Sequence, residues 1–271
     1  MTEPSPVSPS AVLPPPVKSW GDRAVGYLVW GGLAVLLVVG AHAVELFKFG
    51  KLFRNAHNFL EFGAGFVRPD FTVWPLYLQQ MWLTVEMALW GTFLAIVIAV
   101  PLGLMAARNL APVWVVQPVR RLLDVFRALN ELVIGSVFVV VVGLGPFAGV
   151  LALAINTGGV LGKLFSEAVE AVDPRPLEGV RATGASRIQV IVWGVIPQVA
   201  PLWTSYALYR FESNTRSATV LSLIGAGGIG QVLFDAINSF NYAQTAAVMI
   251  VIVIAVSLID LLSQAMRKRL I

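Results

Sequence analysis

Apolar residues in this chain do not alternate with polar ones at the period of a strand; they gather in runs of about twenty, parted by short polar stretches. A helix of about 20 residues is roughly 30 Å long, the thickness of a bilayer's hydrocarbon core, so each run predicts a membrane-crossing helix. The runs fall at about 24–44, 83–105, 122–142, 146–164, 199–224 and 243–262, which predicts six spans, the third and fifth interrupted by polar residues. Ahead of them, residues 1–23 are rich in proline and serine and lack periodic apolar positions, the composition of a disordered tail. Ala41-His42-Ala43 imitates a signal-peptidase site, but the apolar run before it is longer than a signal core and its proline-rich lead is atypical, so residues 24–46 read as a first transmembrane helix. Residues 47–74 read as an external loop, whose FKFGKLFRNAHNFLEF pattern suits an amphipathic helix lying at the interface.

Basic residues beside the runs set the expected orientation. Arg108, Arg120 and Arg121 mark one loop, Arg175, Arg181 and Arg187 a second, and Arg267, Lys268 and Arg269 the C-terminus, which predicts both termini on the cytoplasmic side. Lys48, Lys51, Arg54 and Arg68 in the first loop run against that rule, yet six alternating spans still place the loop outside.

Composition sharpens the class. The chain is 57% hydrophobic and 13% charged, with mean hydropathy +0.79, against roughly a quarter charged in soluble domains; an all-α integral membrane protein is the expectation. Cysteine is absent and His42 and His57 are the two histidines, so neither a disulfide framework nor a histidine metal cluster is expected. The net charge of +4 sits beside apolar runs without interleaved aromatics, a pattern of headgroup anchoring rather than nucleic-acid binding.

Two motifs mislead. GAGGIG, with Gly225, Gly227, Gly228 and Gly230, matches the dinucleotide fingerprint, which needs a preceding strand and an acidic residue about twenty positions on; between two spans it reads instead as a hinge or re-entrant turn. TGGVLGKL, residues 157–164, resembles a phosphate loop but has Thr157 in place of the first glycine and Leu164 in place of the magnesium-binding Ser or Thr. Gly158, Gly159 and Gly162 read as helix-packing positions, and the chain is not expected to hydrolyse ATP.

DPRPLEGVRATGASRIQVIVWGVIPQVAP reads as helix, turn, helix: Pro174 and Pro176 favour a helix from about Leu177, Gly184 supplies the turn, and Ile188 to Trp193 restores helical spacing until Pro197. Such a hairpin suits docking in a partner's groove. The spacing Glu178, Gly184, Ile196-Pro197 resembles the cytoplasmic coupling motif of ABC importer permeases, E-A-A-x3-G-x9-I-x-L-P, with Gly179 and Val180 in place of the alanine pair and Gly194 in place of the isoleucine. From about Trp74 onward, RALNELVIGSVFVVVVGLGPFAGVLALAINTGGVLGKLFSEAVEAVDPRPLEGVRATGAS, LYRFESNTRSATVLSLIGAGGIG and SLIDLLSQAMRKRL are similar to permeases of phosphonate ABC importers, with Asn130 standing where proline is expected and Ser222 where glycine is. The resemblance implies a type I ABC importer permease fold over residues 75–271, in a bacterial cytoplasmic membrane, with a coupling loop at 174–197. It implies that Glu178, Gly184, Ala185, Ser186 and Pro197 serve ATPase coupling. It also implies a homodimer, two ATPase subunits that hold ATP and Mg, no cofactor bound by this chain, and an extracytoplasmic binding protein delivering phosphonate or a related phosphorus oxyanion, phosphate or phosphite.

Charged groups inside a span need a partner or a cavity. On the fifth run, Glu212 and Arg216 stand four apart on one helix face and read as a structural ion pair, while Arg210, Ser213, Asn214 and Ser217 form a second polar stripe. Arg210 either lines a translocation path with Asn214, Ser213, Ser217 and Asn130, its guanidinium suited to an oxyanion, or anchors at a membrane face. Glu131 is expected to pair with an arginine of the fifth span, with Arg216 as the candidate. Glu86, Asn156 and Asp260 stand alone in their spans and are expected to satisfy a neighbouring helix. The alternatives are the same architecture importing another small solute and, behind it, an ion-coupled secondary transporter, which would need no docking hairpin.

Overall fold

The computed structural model describes residues 20–54 and 56–269. Residues 1–19 of the expected tail lie outside them, but Trp20 to Arg23 are already helical, so the first helix begins before Ala24. The described residues hold helices and no strand. The chain divides by its internal contacts into two units, residues 1–60 and 61–271. In the first, α1 (Trp20–Ala43) is followed by a 3-10 turn at Leu46–Lys48, α2 (Phe49–Arg54) and the start of α3 (Ala56–Val67), which crosses the division. Glu45 at positive φ ends the first helix and pairs with Lys48.

The second unit is a helical bundle centred on α4 (Trp74–Ala106), which starts nine residues ahead of the expected span. Its 33 residues reach about 50 Å, more than one hydrocarbon thickness. The start is fixed by Asp70, whose carboxylate accepts from Thr72 N–H at 2.8 Å and whose carbonyl accepts from Tyr77 Oη at 3.2 Å.

The expected third span is broken. α5 (Val113–Ala128) and α6 (Glu131–Val142) meet at 89°. Leu129 and Asn130 are both extended; the Asn130 side chain accepts from Leu132 N–H at 2.8 Å as an N-cap, and Asn156 donates to the Leu129 carbonyl at 2.8 Å. α5 is amphipathic, with Val116, Val119 and Leu123 buried and Arg121 and Arg127 turned outward, whereas α6, at about 18 Å, is too short to cross alone. Among the described residues five helices are long and apolar enough to span, or six if the bent pair counts as one.

α7 (Pro146–Glu170) lies along α4. Cβ atoms at Gly91 and Gly103 would meet Leu153 Cβ at 2.7 Å and Phe165 Cβ at 2.9 Å, so these glycines set the approach of the two backbones. On its other side, Cβ atoms at Gly159 and Gly162 would each fall 2.6 Å from Phe126 and Leu123 of α5, which is why a false phosphate loop can sit inside a straight helix.

After α8 (Pro174–Ala182) and α9 (Arg187–Val190) the chain makes a π-helical turn at Ile191–Val195 and continues as α10 (Ile196–Leu221). Pro197 therefore does not end the helix as expected; it sits in the first turn of α10, where its missing N–H removes no hydrogen bond that the π turn has not already displaced. A 3-10 turn (Ser222–Ile224), α11 (Ile229–Asn238) and α12 (Tyr242–Arg267) complete the unit. The core joins Met87, Leu153 and Leu221 in one cluster and Leu161, Phe165, Val199 and Trp203 in another, with the Phe165 and Trp203 rings stacked at 4.5 Å and 15°.

Candidate functional site

Halfway along α4, α7 and α10 a chain of polar side chains replaces apolar packing. Arg210 Nη2 donates to Thr157 Oγ1 at 3.4 Å, Thr157 Oγ1 to Asn214 Oδ1 at 2.8 Å, Asn214 Nδ2 to Thr92 Oγ1 at 2.8 Å, and Thr92 Oγ1 to the Ala88 carbonyl at 2.7 Å. Thr92, Thr157 and Asn214 are 4%, 0% and 1% exposed, so three spans are tied together where no water competes. One donor is left over: Arg210 Nε is buried and has no hydrogen-bond partner among the described residues. The Glu131 carboxylate is within electrostatic reach of the same guanidinium.

Glu131 itself departs from expectation. It accepts from Ser217 Oγ at 2.8 Å and does not pair with Arg216, because Arg216 is held one helical turn away by Glu212 at 3.0 Å. Glu212 is shared: its second oxygen meets Arg267 of α12 at 3.3 Å, and the Arg267 guanidinium lies 5.9 Å from the Tyr209 ring centroid. A single buried carboxylate thus joins α10 to α12. Ser213, on the same stripe, is half-buried and makes no side-chain bond among the described residues, while Asn130 is exposed and occupied as the α6 cap. Of the three lone polar residues, Asn156 serves another element as expected, donating to the Leu129 carbonyl at the end of α5, whereas Glu86 and Asp260 find partners one turn away on their own helices, Trp82 Nε1 donating to Glu86 at 2.6 Å and Gln264 to Asp260 at 3.0 Å.

The GAGGIG segment turns the chain from α10 into α11 through three residues at positive φ, Gly225 (95°), Gly227 (71°) and Gly228 (96°). Ile229 N–H donates to Thr84 Oγ1 at 2.9 Å, Gly145 N–H to the Gly225 carbonyl at 3.0 Å, and a Cβ on Gly230 would overlap the Thr219 carbonyl. The segment is folded back against α4 and the start of α7.

At one end of the bundle α8 and α9 form the anticipated hairpin, although α8 starts at Pro174 rather than near Leu177 because Asp173 caps it, accepting from Arg175 N–H at 3.0 Å. Gly184 turns the chain at φ 81° and its N–H donates to the Arg181 carbonyl at 2.9 Å. Ser186 and Gln189 then close a capping box, with Ser186 N–H donating to Gln189 Oε1 at 2.7 Å. Leu177 is buried against Gly194, where a Cβ would come within 3.4 Å of Leu177 Cγ; glycine in place of isoleucine lets α8 lie close on the π turn. The outer surface exposes Glu178, Ile188 and Trp193, and Trp193 lines, with Gly179, Gly184 and Gln189, a depression of about 500 Å³.

Thr92, Thr157 and Arg267 were not singled out by the sequence as site residues. The threonines are lone polar residues in apolar or glycine-rich runs, and Arg267 stands among terminal basic residues 55 positions from its partner; pairing of this kind leaves no periodic signal.

Residues 99–271 match the family model described as binding-protein-dependent transport system inner membrane component. The chain is 41% identical over 201 residues to a phosphite transport system permease protein of Stutzerimonas stutzeri, covering 74% of this chain and 73% of that one. It is 60% identical over 121 residues, 45% of this chain and 99% of the relative, to a putative cryptic phosphonate transport system permease protein of Escherichia coli K12. Among solved structures, an inward-facing form of the MetNI methionine ABC transporter superposes with a TM-score of 0.66 at 20% identity, covering 74% of this chain and 99% of the other. That likeness speaks for the fold alone, a type I ABC importer permease.

Proposed function

As the chain belongs to the family of binding-protein-dependent transport system inner membrane components, a family of transport components rather than enzymes that bind no cofactor themselves, we propose that it forms the pathway by which an ATP-driven importer moves a phosphorus oxyanion, phosphonate or phosphite, across the membrane. Phosphate is the nearest alternative cargo, and the extracytoplasmic binding protein would make most of the choice between them.

Arg210 is the observation that carries this reading. A guanidinium halfway along a span, tethered at 3.4 Å to Thr157 and with its Nε unpartnered among the described residues, offers a donor to a tetrahedral oxyanion without holding it deeply. Asn214, already committed at both its amide atoms, positions that site rather than contacting cargo. Weak binding suffices, because a carrier that receives its cargo from a binding protein must also release it.

Two copies of this chain would enclose the pathway, with two ATPase subunits supplying ATP and Mg. The α8–α9 hairpin would dock on an ATPase through Glu178, Ile188 and Trp193, with Gly184, Ala185 and Ser186 shaping its turn and Pro197 leading into α10. Arginines at the hairpin end support a cytoplasmic location for it and for both termini.

Uptake of labelled phosphite, methylphosphonate and phosphate by cells lacking this chain, with and without the wild-type chain restored, tests the cargo. Entry of one of them only with the restored chain and only with its ATPase partner is expected. Uptake that persists without the ATPase would transfer the reading to an ion-driven carrier.

A further inference from the structure

At the hairpin end of the bundle, three cations converge on a cavity to which the transport reading assigns no role. It holds about 550 Å³ and is bounded by the α4–α5 connection on one side and by α8, α9 and the π turn on the other, with Arg108, Arg181 and Arg187 in its wall. All three arginines are exposed, and among the described residues none of their guanidinium groups pairs with a carboxylate. The connection itself contains no acidic residue, and the carboxylate that touches it, Glu170 at the end of α7, is already consumed: it accepts from Arg120 at 2.5 Å and from the Arg108 backbone N–H at 2.7 Å. That bond and Asn109 Nδ2 to the Val169 carbonyl at 2.7 Å hold the connection in place, so Arg108 is presented by a fixed backbone. Pro112 also lines the cavity and precedes α5, whose first turn contains no acidic residue and whose N-cap makes no side-chain bond.

Three like charges gathered without a counter-charge repel one another, a cost that an anion removes. Planar guanidinium forks suit a tetrahedral phosphate better than a carboxylate of a single helix, and the positive end of α5 adds to the same field. The cavity lies just past the end of α4 at Ala106, where the chain turns through the connection into α5, and clustered arginines at the end of a membrane bundle are the usual partners of anionic headgroups.

We propose that the cavity walled by Arg108, Arg181 and Arg187 is a phosphate-group binding site, separate from the Arg210 pathway, that bridges the α4–α5 connection to the coupling hairpin. Occupancy ties the hairpin to the bundle and so stiffens the element through which an ATPase would act. The bound group comes either from an anionic lipid headgroup or from free phosphate; the site's chemistry is the same for both, and it stands whether or not the cargo reading does.

The test is the thermal midpoint of the full chain in phosphatidylcholine nanodiscs at about 0.1 M salt, where weak surface pairing is largely screened. Inorganic phosphate is titrated in one arm and phosphatidylglycerol is built into the discs in the other. A rise in midpoint with phosphate identifies a diffusible anion, and a rise confined to phosphatidylglycerol identifies the lipid. In either case R108Q with R187Q is expected to weaken the apparent affinity about tenfold or more, the loss of charge-assisted bonds, and R181Q alone gives a second reading should the double variant fold poorly. No rise with either probe, or a rise of the same size and affinity in the variants, overturns the proposal.

Discussion

Glu212 is the residue on which the buried electrostatics turn, since one carboxylate 7% exposed answers two arginines on different helices. Replacing it with glutamine leaves both guanidinium groups short of a counter-charge and is expected to lower folded stability by on the order of 3 kcal/mol. R216Q, whose side chain is half exposed and whose loss leaves Arg267 on the carboxylate, should cost under about 1 kcal/mol. Folded yield and thermal midpoint in detergent check both, and equal losses would refute the shared-carboxylate account. Arg210 is expected to behave in the opposite way: R210A should keep the yield and lose uptake by about tenfold or more, whereas E212Q loses yield first. The Glu212–Arg216 contact was legible in the sequence as an i,i+4 pair on one helix face. Arg267 was not, because nothing in local spacing says that the last turn of α12 returns to α10, and the expected Glu131–Arg216 pair failed for the same reason, a local partner being one turn away.

Among the elements, the breaks say more than the spans. Long apolar runs gave four spans of the second unit to within a few residues at one end or the other, but a continuous third span ignored Asn130 as an N-cap, and a stop at Pro197 ignored the π turn that accommodates it. Both errors follow from reading apolar length without asking where backbone donors go. The glycine segment was legible as a turn between helices, though α11 behind it was not. Its glycines differ in what they tolerate: at Gly230 a methyl group would strike the Thr219 carbonyl, so G230A is expected to destabilise by more than about 2 kcal/mol. Gly179 faces open space in the middle of α8, and G179A should leave stability unchanged or raise it by up to about 1 kcal/mol. Similar midpoints for the two variants would remove the case that this segment is packed as a folded-back turn.

At the scale of the whole molecule, three features lie on one continuous path: the exposed hairpin, the π turn, and the α10 helix that carries Arg210 and Glu212. π turns recur at functional sites because their wider winding shifts register at small cost, and here one stands between the surface that would receive an ATPase stroke and the polar chain at mid-span. Family and fold were legible from the hairpin's Glu178–Gly184–Pro197 spacing and the intramembrane charges, while the threonines of the polar chain became visible only once three helices were placed side by side. The most direct test measures ATP hydrolysis and substrate uptake together in proteoliposomes holding this chain, its ATPase partner and the binding protein. Gly184 sits at φ 81°, where a β-branched side chain is strained, so G184V distorts the hairpin turn. With it, uptake should fall at least about tenfold while uptake by R210A falls with hydrolysis retained. If G184V imports at the wild-type rate, energy does not enter through this hairpin and the account is wrong at its centre.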